Sequence, residues 1–242
     1  MNVRFGEQVS ECDVVEDEMK TRRKIVDQQI YFVVSEVDDS LQETLKHLVY
    51  SPFEDGFARA FPANTPHLDQ IYENFERYMP DLVSQAAGLQ PVPWENCLMT
   101  VLERLEGQDL KWWLVGSGAL AVRGLPVKPH DVDLVVQDQG SARLSALLLD
   151  YQVEPVSNSP GWIWDWFGRC FLQVRLEWVG DVNAQAEQNA PADFGPTALE
   201  RSETVYWGGY EIKVPPLDLQ LAVSERRGLT ERANLIRSLI MG

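Results

Sequence analysis

Two aspartates one residue apart, Asp131 and Asp133, lie in the run His130-Asp131-Val132-Asp133-Leu134-Val135-Val136, downstream of Leu114-Val115-Gly116-Ser117. Side chains alternate across a strand, so the two carboxylates share one face while Val132 and Leu134 turn into a core. Carboxylates side by side repel, and a divalent cation between them relieves the repulsion. Hard oxygen ligands of this kind suit Mg²⁺. Upstream, residues 111–115 read as a buried strand, and Gly116-Ser117-Gly118 as a tight turn into a helix over residues 119–123. A turn feeding a helix N-terminus presents free N–H groups and a partial positive charge, which attract phosphate. Strand, turn, helix and strand therefore bring a phosphate site and a metal site to one cleft.

This pattern resembles the nucleotidyltransferase superfamily, the fold shared by polymerase-β-like enzymes and antibiotic nucleotidyltransferases. Its signature is a hydrophobic residue, Gly, Gly or Ser, a spacer, then Asp-hydrophobic-Asp. Here the spacer from Gly118 to His130 spans thirteen residues, long for the family, and Lys128-Pro129-His130-Asp131-Val132-Asp133 looks like the small-molecule branch. The resemblance covers about residues 111–136, with weaker support to Asp181 and none over the first ninety residues. It implies a mixed α/β (α+β) sheet flanked by helices. It also implies that Asp131 and Asp133 hold two Mg²⁺ ions, and that Gly116 and Ser117 grip the β- and γ-phosphates of an NTP. A further positive charge near that triphosphate would come from Lys128 or Arg123. His130 reads as a structural hydrogen-bonding neighbour of the site.

The family takes a third carboxylate from a neighbouring strand. Residues 161–167 and 170–179 look like a hairpin around Gly168-Arg169, rich in aromatic and branched residues. In its second strand Cys170, Leu172, Val174, Leu176 and Trp178 share one face, and Phe171, Gln173, Arg175, Glu177 and Val179 the other. Glu177 is the acid in the body of the strand. By resemblance it would complete a metal site and help deprotonate an acceptor hydroxyl, with Asp181 and Asp165 as the competing choices. Trp162, Trp164 and Trp166 fall on one strand face, read first as core packing and otherwise as a stacking surface for a base or sugar.

The chain has 242 residues, 45% of them hydrophobic, enough to fill a substantial core. No apolar run approaches the roughly eighteen residues a membrane helix needs, and the first fifteen residues are too charged for a signal peptide. A cytoplasmic protein without membrane partners is expected. Cys12, Cys97 and Cys170 are scattered and odd in number, against a disulfide framework or zinc site. A net charge of −16 repels phosphate backbones, so no nucleic-acid partner is expected, and it suits a cationic small-molecule acceptor such as an aminoglycoside.

Two parts are expected: residues 1–92, mostly helical with an acidic tail over residues 11–18, and a core with C-terminal helices over residues 93–242. Ser40 with Glu43 forms a capping box for a helix carrying Leu41, Leu45, Leu48 and Val49. Thr65-Pro66 opens a second helix with Leu68, Ile71, Tyr72, Phe75 and Met79 inward, closed by Pro80. Residues 93–106 form a third. The run from Ile30 to Val34 fits a strand or the heart of a helix. Residues 183–196 read as a loop, a candidate lid. Residues 203–207 and 210–214 make a hairpin through Gly208-Gly209, and two helices follow Pro215-Pro216. The functional expectation is Mg²⁺-dependent transfer of a nucleoside monophosphate from an NTP to a small-molecule hydroxyl. The alternatives are a protein-modifying toxin of a toxin-antitoxin pair and a catalytically silent nucleotide-binding scaffold.

Overall fold

A computed structural model describes residues 19–137, 139–158 and 163–241. The acidic run 11–18, Cys12 and Trp162 lie outside these residues. The central feature is a five-stranded mixed sheet in the order β5-β6-β9-β8-β7, made of β5 (Trp112–Val115), β6 (Val132–Val136), β7 (Gln152–Asn158), β8 (Trp164–Phe171) and β9 (Arg175–Val182). β6 runs parallel to β9, and every other neighbouring pair is antiparallel. Between β5 and β6 lies the short helix α4 (Gly116–Ala121), and α5 (Gly140–Leu147) connects β6 towards β7.

Alternation gives this sheet two chemically different faces. Val132, Leu134, Val136, Leu176, Trp178 and Cys170 join a core completed by α3 (Trp94–Leu105), with Cys97, Leu98, Val101 and Leu102, and by the hairpin of β10 (Glu203–Trp207) and β11 (Tyr210–Val214). The opposite face carries Asp133 and Glu177, directly paired across β6 and β9, and Arg169, paired with Glu177 across β8 and β9. The turn joining β8 to β9 is at residues 172–174, not at Gly168-Arg169 as expected. Cys170 pairs with Leu176 across the turn, so the expected division of faces survives the shift in turn position.

The N-terminal part is less helical than its sequence suggests. A four-stranded antiparallel sheet, in the order β1-β2-β4-β3, is built from β1 (Lys20–Val26), β2 (Gln29–Ser35), β3 (Ser51–Phe53) and β4 (Gly56–Pro62). The run from Ile30 to Val34 is therefore strand, and Phe32 and Val34 bury into a core beneath it. The expected helices are present as α1 (Gln42–His47), preceded by a 3-10 turn that Asp38 caps in place of the expected Ser40 and Glu43 box, and α2 (Leu68–Ala86), which starts at Leu68 rather than at Thr65-Pro66. α2 passes through Pro80 rather than ending there. Leu82 and Val83 continue the apolar stripe into the core at 1% and 0% exposure. Burying two such side chains is worth about 1.5–3 kcal/mol each, which offsets the roughly 3 kcal/mol cost of an interior proline. The N-terminal core also takes in Val153 of β7 and Phe171 of β8, so this unit packs on one edge of the central sheet.

After β9 a loop and the short helix α6 (Pro196–Glu200) cross the charged face, and α7 (Leu217–Arg226) and α8 (Thr230–Met241) close the chain. Two hydrogen bonds tie the candidate lid, residues 183–196, to its surroundings: Trp113 Nε1 donates to the Asp193 carbonyl at 3.3 Å, and Arg226 donates to the Pro191 carbonyl at 2.8 Å. No described helix is long and apolar enough to cross a membrane.

Candidate active site

Asp133 sits in β6 with Asp131 two residues before it, and Glu177 lies beside Asp133 in the parallel strand β9. Ligand oxygens of all three lie within 4.8 Å of one another, the one acidic, His or Cys cluster among the described residues arranged to hold a metal ion. The structure brings in neither competing acid. Asp165 and Asp181 line a separate cavity of about 630 Å³, and Asp181 accepts from the Gln139 backbone N–H at 3.3 Å.

Gly116 follows β5 directly and lies against this cluster. Its φ of +66° is a left-handed conformation, and a Cβ there would lie 2.8 Å from Asp133 Oδ2. Glycine alone meets both demands, and its backbone can approach the carboxylate. Gln220 of α7, fully buried, donates to the Gly116 carbonyl at 3.2 Å and fixes the turn from the other side. Helix α4 begins at Gly116 itself, so Gly116-Ser117-Gly118 forms the first turn of the helix.

The electrostatics of the three acids differ. Burial, then the like charges of Asp131 and Glu177, push the Asp133 carboxyl well above its usual range. Burial also opposes ionisation of Glu177, but the Arg169 and Arg175 guanidiniums outweigh it and hold that carboxyl below its usual value. Arg169 Nε donates to Glu177 Oε1 at 2.7 Å. Arg175 pairs with Asp131 Oδ2 and lies 3.7 Å from Glu177 Oε1. A cationic group thus already rests against two of the three acids, while Asp133 has like charges as its nearest electrostatic neighbours. Hard oxygens at this spacing, with a positive group drawn to their edge, fit a divalent cation.

Asp133 and Glu177 open into a cavity of about 270 Å³ also lined by Gly116, Trp164, Phe167, Asp193 and Phe194, with Arg227 and Arg232 among the remaining wall residues. Arg232 Nε is buried with no hydrogen-bond partner, and burial pulls the Arg232 guanidinium below its usual value. A buried donor without a partner is costly, so this wall is suited to an anion.

Lys128 is exposed and outside this lining, and so is His130. Arg123 is committed elsewhere, to Glu203 at 2.5 Å and to the Pro215 carbonyl at 2.9 Å. The cations beside the acids are Arg169 and Arg175 and, on the cavity wall, Arg227 and Arg232. Arg175 was legible from its parity with Glu177; the wall pair, distant in sequence, carries no local signal. The tryptophan row is not continuous among the described residues, since Trp164 lines this cavity and Trp166 the larger one.

The sequence model of the aminoglycoside-2''-adenylyltransferase family matches residues 97–160, a segment that includes β5, α4 and β6. No curated protein is significantly similar in sequence. Among solved structures, a candidate nucleotidyltransferase from Thermotoga maritima is 21% identical with a TM-score of 0.45, over 60% of this chain and 90% of that one. ANT(2'')-Ia, solved with adenylyl-2''-tobramycin, is 15% identical with a TM-score of 0.42, over 60% of this chain and 89% of that one.

Proposed function

We propose that this chain, a nucleotidyltransferase relative of the antibiotic nucleotidyltransferases, transfers a nucleoside monophosphate from an NTP to a hydroxyl of a small molecule. The acceptor hydroxyl gives up its proton with the help of Glu177, its oxygen forms a bond to the α-phosphorus, the bond from that phosphorus to the bridging oxygen breaks, and pyrophosphate leaves. The observation that carries this reading is a cluster of three carboxylates, two of which, Asp133 and Glu177, line one cavity with the Gly116 turn and the Arg227 and Arg232 guanidiniums.

Asp131, Asp133 and Glu177 would hold divalent magnesium. When bound, the metal supplies positive charge that offsets the triphosphate and lowers the barrier to in-line displacement. Gly116 and Ser117 offer the backbone approach to the β- and γ-phosphates, and Arg227 and Arg232 give those phosphates charged donors from the wall. Glu177, kept ionised by its two arginines, can accept a hydrogen bond from the acceptor hydroxyl and orient it. Trp164 and Phe167 offer apolar surface for a ring. The acidic surface favours a cationic acceptor.

Thermal unfolding with ATP, GTP, CTP and UTP, with and without Mg²⁺, tests the reading. A ligand at one hundred times its dissociation constant adds about 2.7 kcal/mol, several degrees in midpoint. A Mg²⁺-dependent shift is expected in the wild type and absent in Asp131→Ala/Asp133→Ala. Pyrophosphate release with a panel of hydroxylated amines then identifies the acceptor. Absence of any nucleotide shift, together with no pyrophosphate release, would overturn the assignment.

A further inference from the structure

The charged row through Asp133, Glu177 and Arg169 continues past the catalytic face. On β7 the next member is Glu154, 1% exposed, whose Oε1 lies 2.5 Å from Arg169 Nη1. The row then leaves the central sheet. Tyr50 donates its hydroxyl to Glu154 Oε1 at 2.6 Å, Arg59 of β4 pairs with Oε2, and the Leu48 carbonyl accepts from Arg169 Nη1 at 3.0 Å. An unbroken chain of polar contacts thus joins the N-terminal sheet to the third acid of the candidate metal site.

Two features show that the geometry is specifically held. Gln152 pairs with Cys170, and regular register would set Val153 opposite Arg169. A register shift between Gln152 and Glu154 instead puts Glu154 opposite Arg169, on the charged face. Bulges re-aim side chains in this way, often beside active sites. The second feature is Val49, a β-branched residue with a φ of 68°. It lies between Leu48 and Tyr50, both of which touch this row. Such strain persists only where the surroundings over-determine it. Burying the Glu154 and Arg169 pair is also a costly way to fill a core, since apolar residues of similar volume are often neutral or stabilising.

We propose that Glu154 is a positioning residue for the metal site, clamped by Tyr50 and Arg59 so that Arg169 is shared between two carboxylates and Glu177 keeps an oxygen available to the cation. This rests on the reading that Asp131, Asp133 and Glu177 hold a divalent ion. Without Glu154, the whole charge of Arg169 falls on Glu177 and competes with the metal. Without Arg59, Glu154 draws harder on Arg169 and releases Glu177. The effect on metal affinity therefore changes sign from one residue of the row to the next. The N-terminal unit becomes part of the site's construction.

The test is Mn²⁺ affinity of the full-length chain without nucleotide, measured by electron paramagnetic resonance of free Mn²⁺, with circular dichroism to confirm folding. Glu154→Gln is expected to bind about tenfold more weakly, within the range typical of residues that support metal ligands. Glu154→Gln/Arg169→Gln is expected to recover most of the loss, because the competing guanidinium is gone. Arg59→Gln, at the edge of the row, is expected to bind roughly threefold more tightly, and it serves as the test if Glu154→Gln does not fold. A merely structural role would lower the unfolding midpoint and leave these affinities alone. Wild-type affinity in Glu154→Gln, or in Arg59→Gln where it stands in, overturns this proposal alone. Failure of the wild type itself to bind Mn²⁺ overturns the metal reading as well.

Discussion

At the scale of single residues, the site holds like charges together at the expense of the fold. The Asp133 carboxyl is buried beside Asp131 and Glu177, and its raised pKa fixes the sign of a pH effect. A carboxyl raised above its unfolded value contributes stability fully below the unfolded pKa, and that contribution is lost as pH rises through the folded one. Glu177 behaves oppositely: its contribution is present above its unfolded pKa and is lost as pH falls through its lowered folded one. Asp133→Asn removes the first effect and leaves the second. The metal-free variant is expected to be more stable than wild type by about 1 kcal/mol at neutral pH, the usual scale for relieving an active-site conflict. The gap should close as pH falls towards the ordinary carboxylate range. Urea unfolding of both proteins without metal, from acid to neutral pH, measures it. A gap of constant size, or one that widens in acid, would show that Asp133 is not the strained member. The same variant should lose its Mg²⁺-dependent thermal shift, so stability and ligand response would move in opposite directions.

At the scale of elements, the parts of the site with local signatures were the legible ones. The Gly116 turn, the Asp131 and Asp133 pair and the parity of Glu177 are set by strand alternation within a few residues, and they lie where alternation predicts. The turn before β9 was misplaced because Gly168 looked like a turn residue. Its glycine has another cause: a Cβ at Gly168 would lie 2.0 Å from the Trp178 ring packed across β8 and β9. Of the N-terminal strands only the run from Ile30 to Val34 was open to a strand reading, because a short apolar run cannot be told from a helix segment by periodicity alone, and Pro80 was read as a stop because tertiary burial is invisible locally. Arg227, Arg232 and Glu154 reach the site or its supports only through folding across long sequence separations. The Gly168 reading is testable. Gly168→Ala is expected to cost roughly 3 kcal/mol, at the upper end for overpacking, because the ring is held by Trp178 Nε1 donating to Ser141 Oγ at 3.1 Å. A near-neutral change in urea unfolding would mean that the ring moves freely and that β8 is not locked against β9.

At the scale of the whole molecule, the charge of −16 and the local cations of the site divide the work. Arg175, Arg227 and Arg232 lie in or around the cavity, where an anionic triphosphate bound as proposed would meet fixed guanidiniums at short range. The surrounding acidic field acts at longer range and draws in cations. These two contributions respond differently to salt, because exposed charges are screened beyond a Debye length of about 10 Å at 0.1 M while partly buried pairs are screened much less. For a polycationic acceptor, kcat/KM is therefore expected to fall about tenfold between low ionic strength and 0.3 M salt, mainly through KM, as electrostatic attraction to the acidic surface weakens. For a neutral hydroxylated acceptor of similar size, kcat/KM should change little over the same range. NTP dependence measured at saturating acceptor reports the short-range guanidiniums instead, and should be the less salt-sensitive of the two. Equal salt dependence for cationic and neutral acceptors would show that the acidic surface has no part in acceptor choice. The preference would then have to come from the cavity wall, where Asp193 and Phe194 are the residues to exchange next.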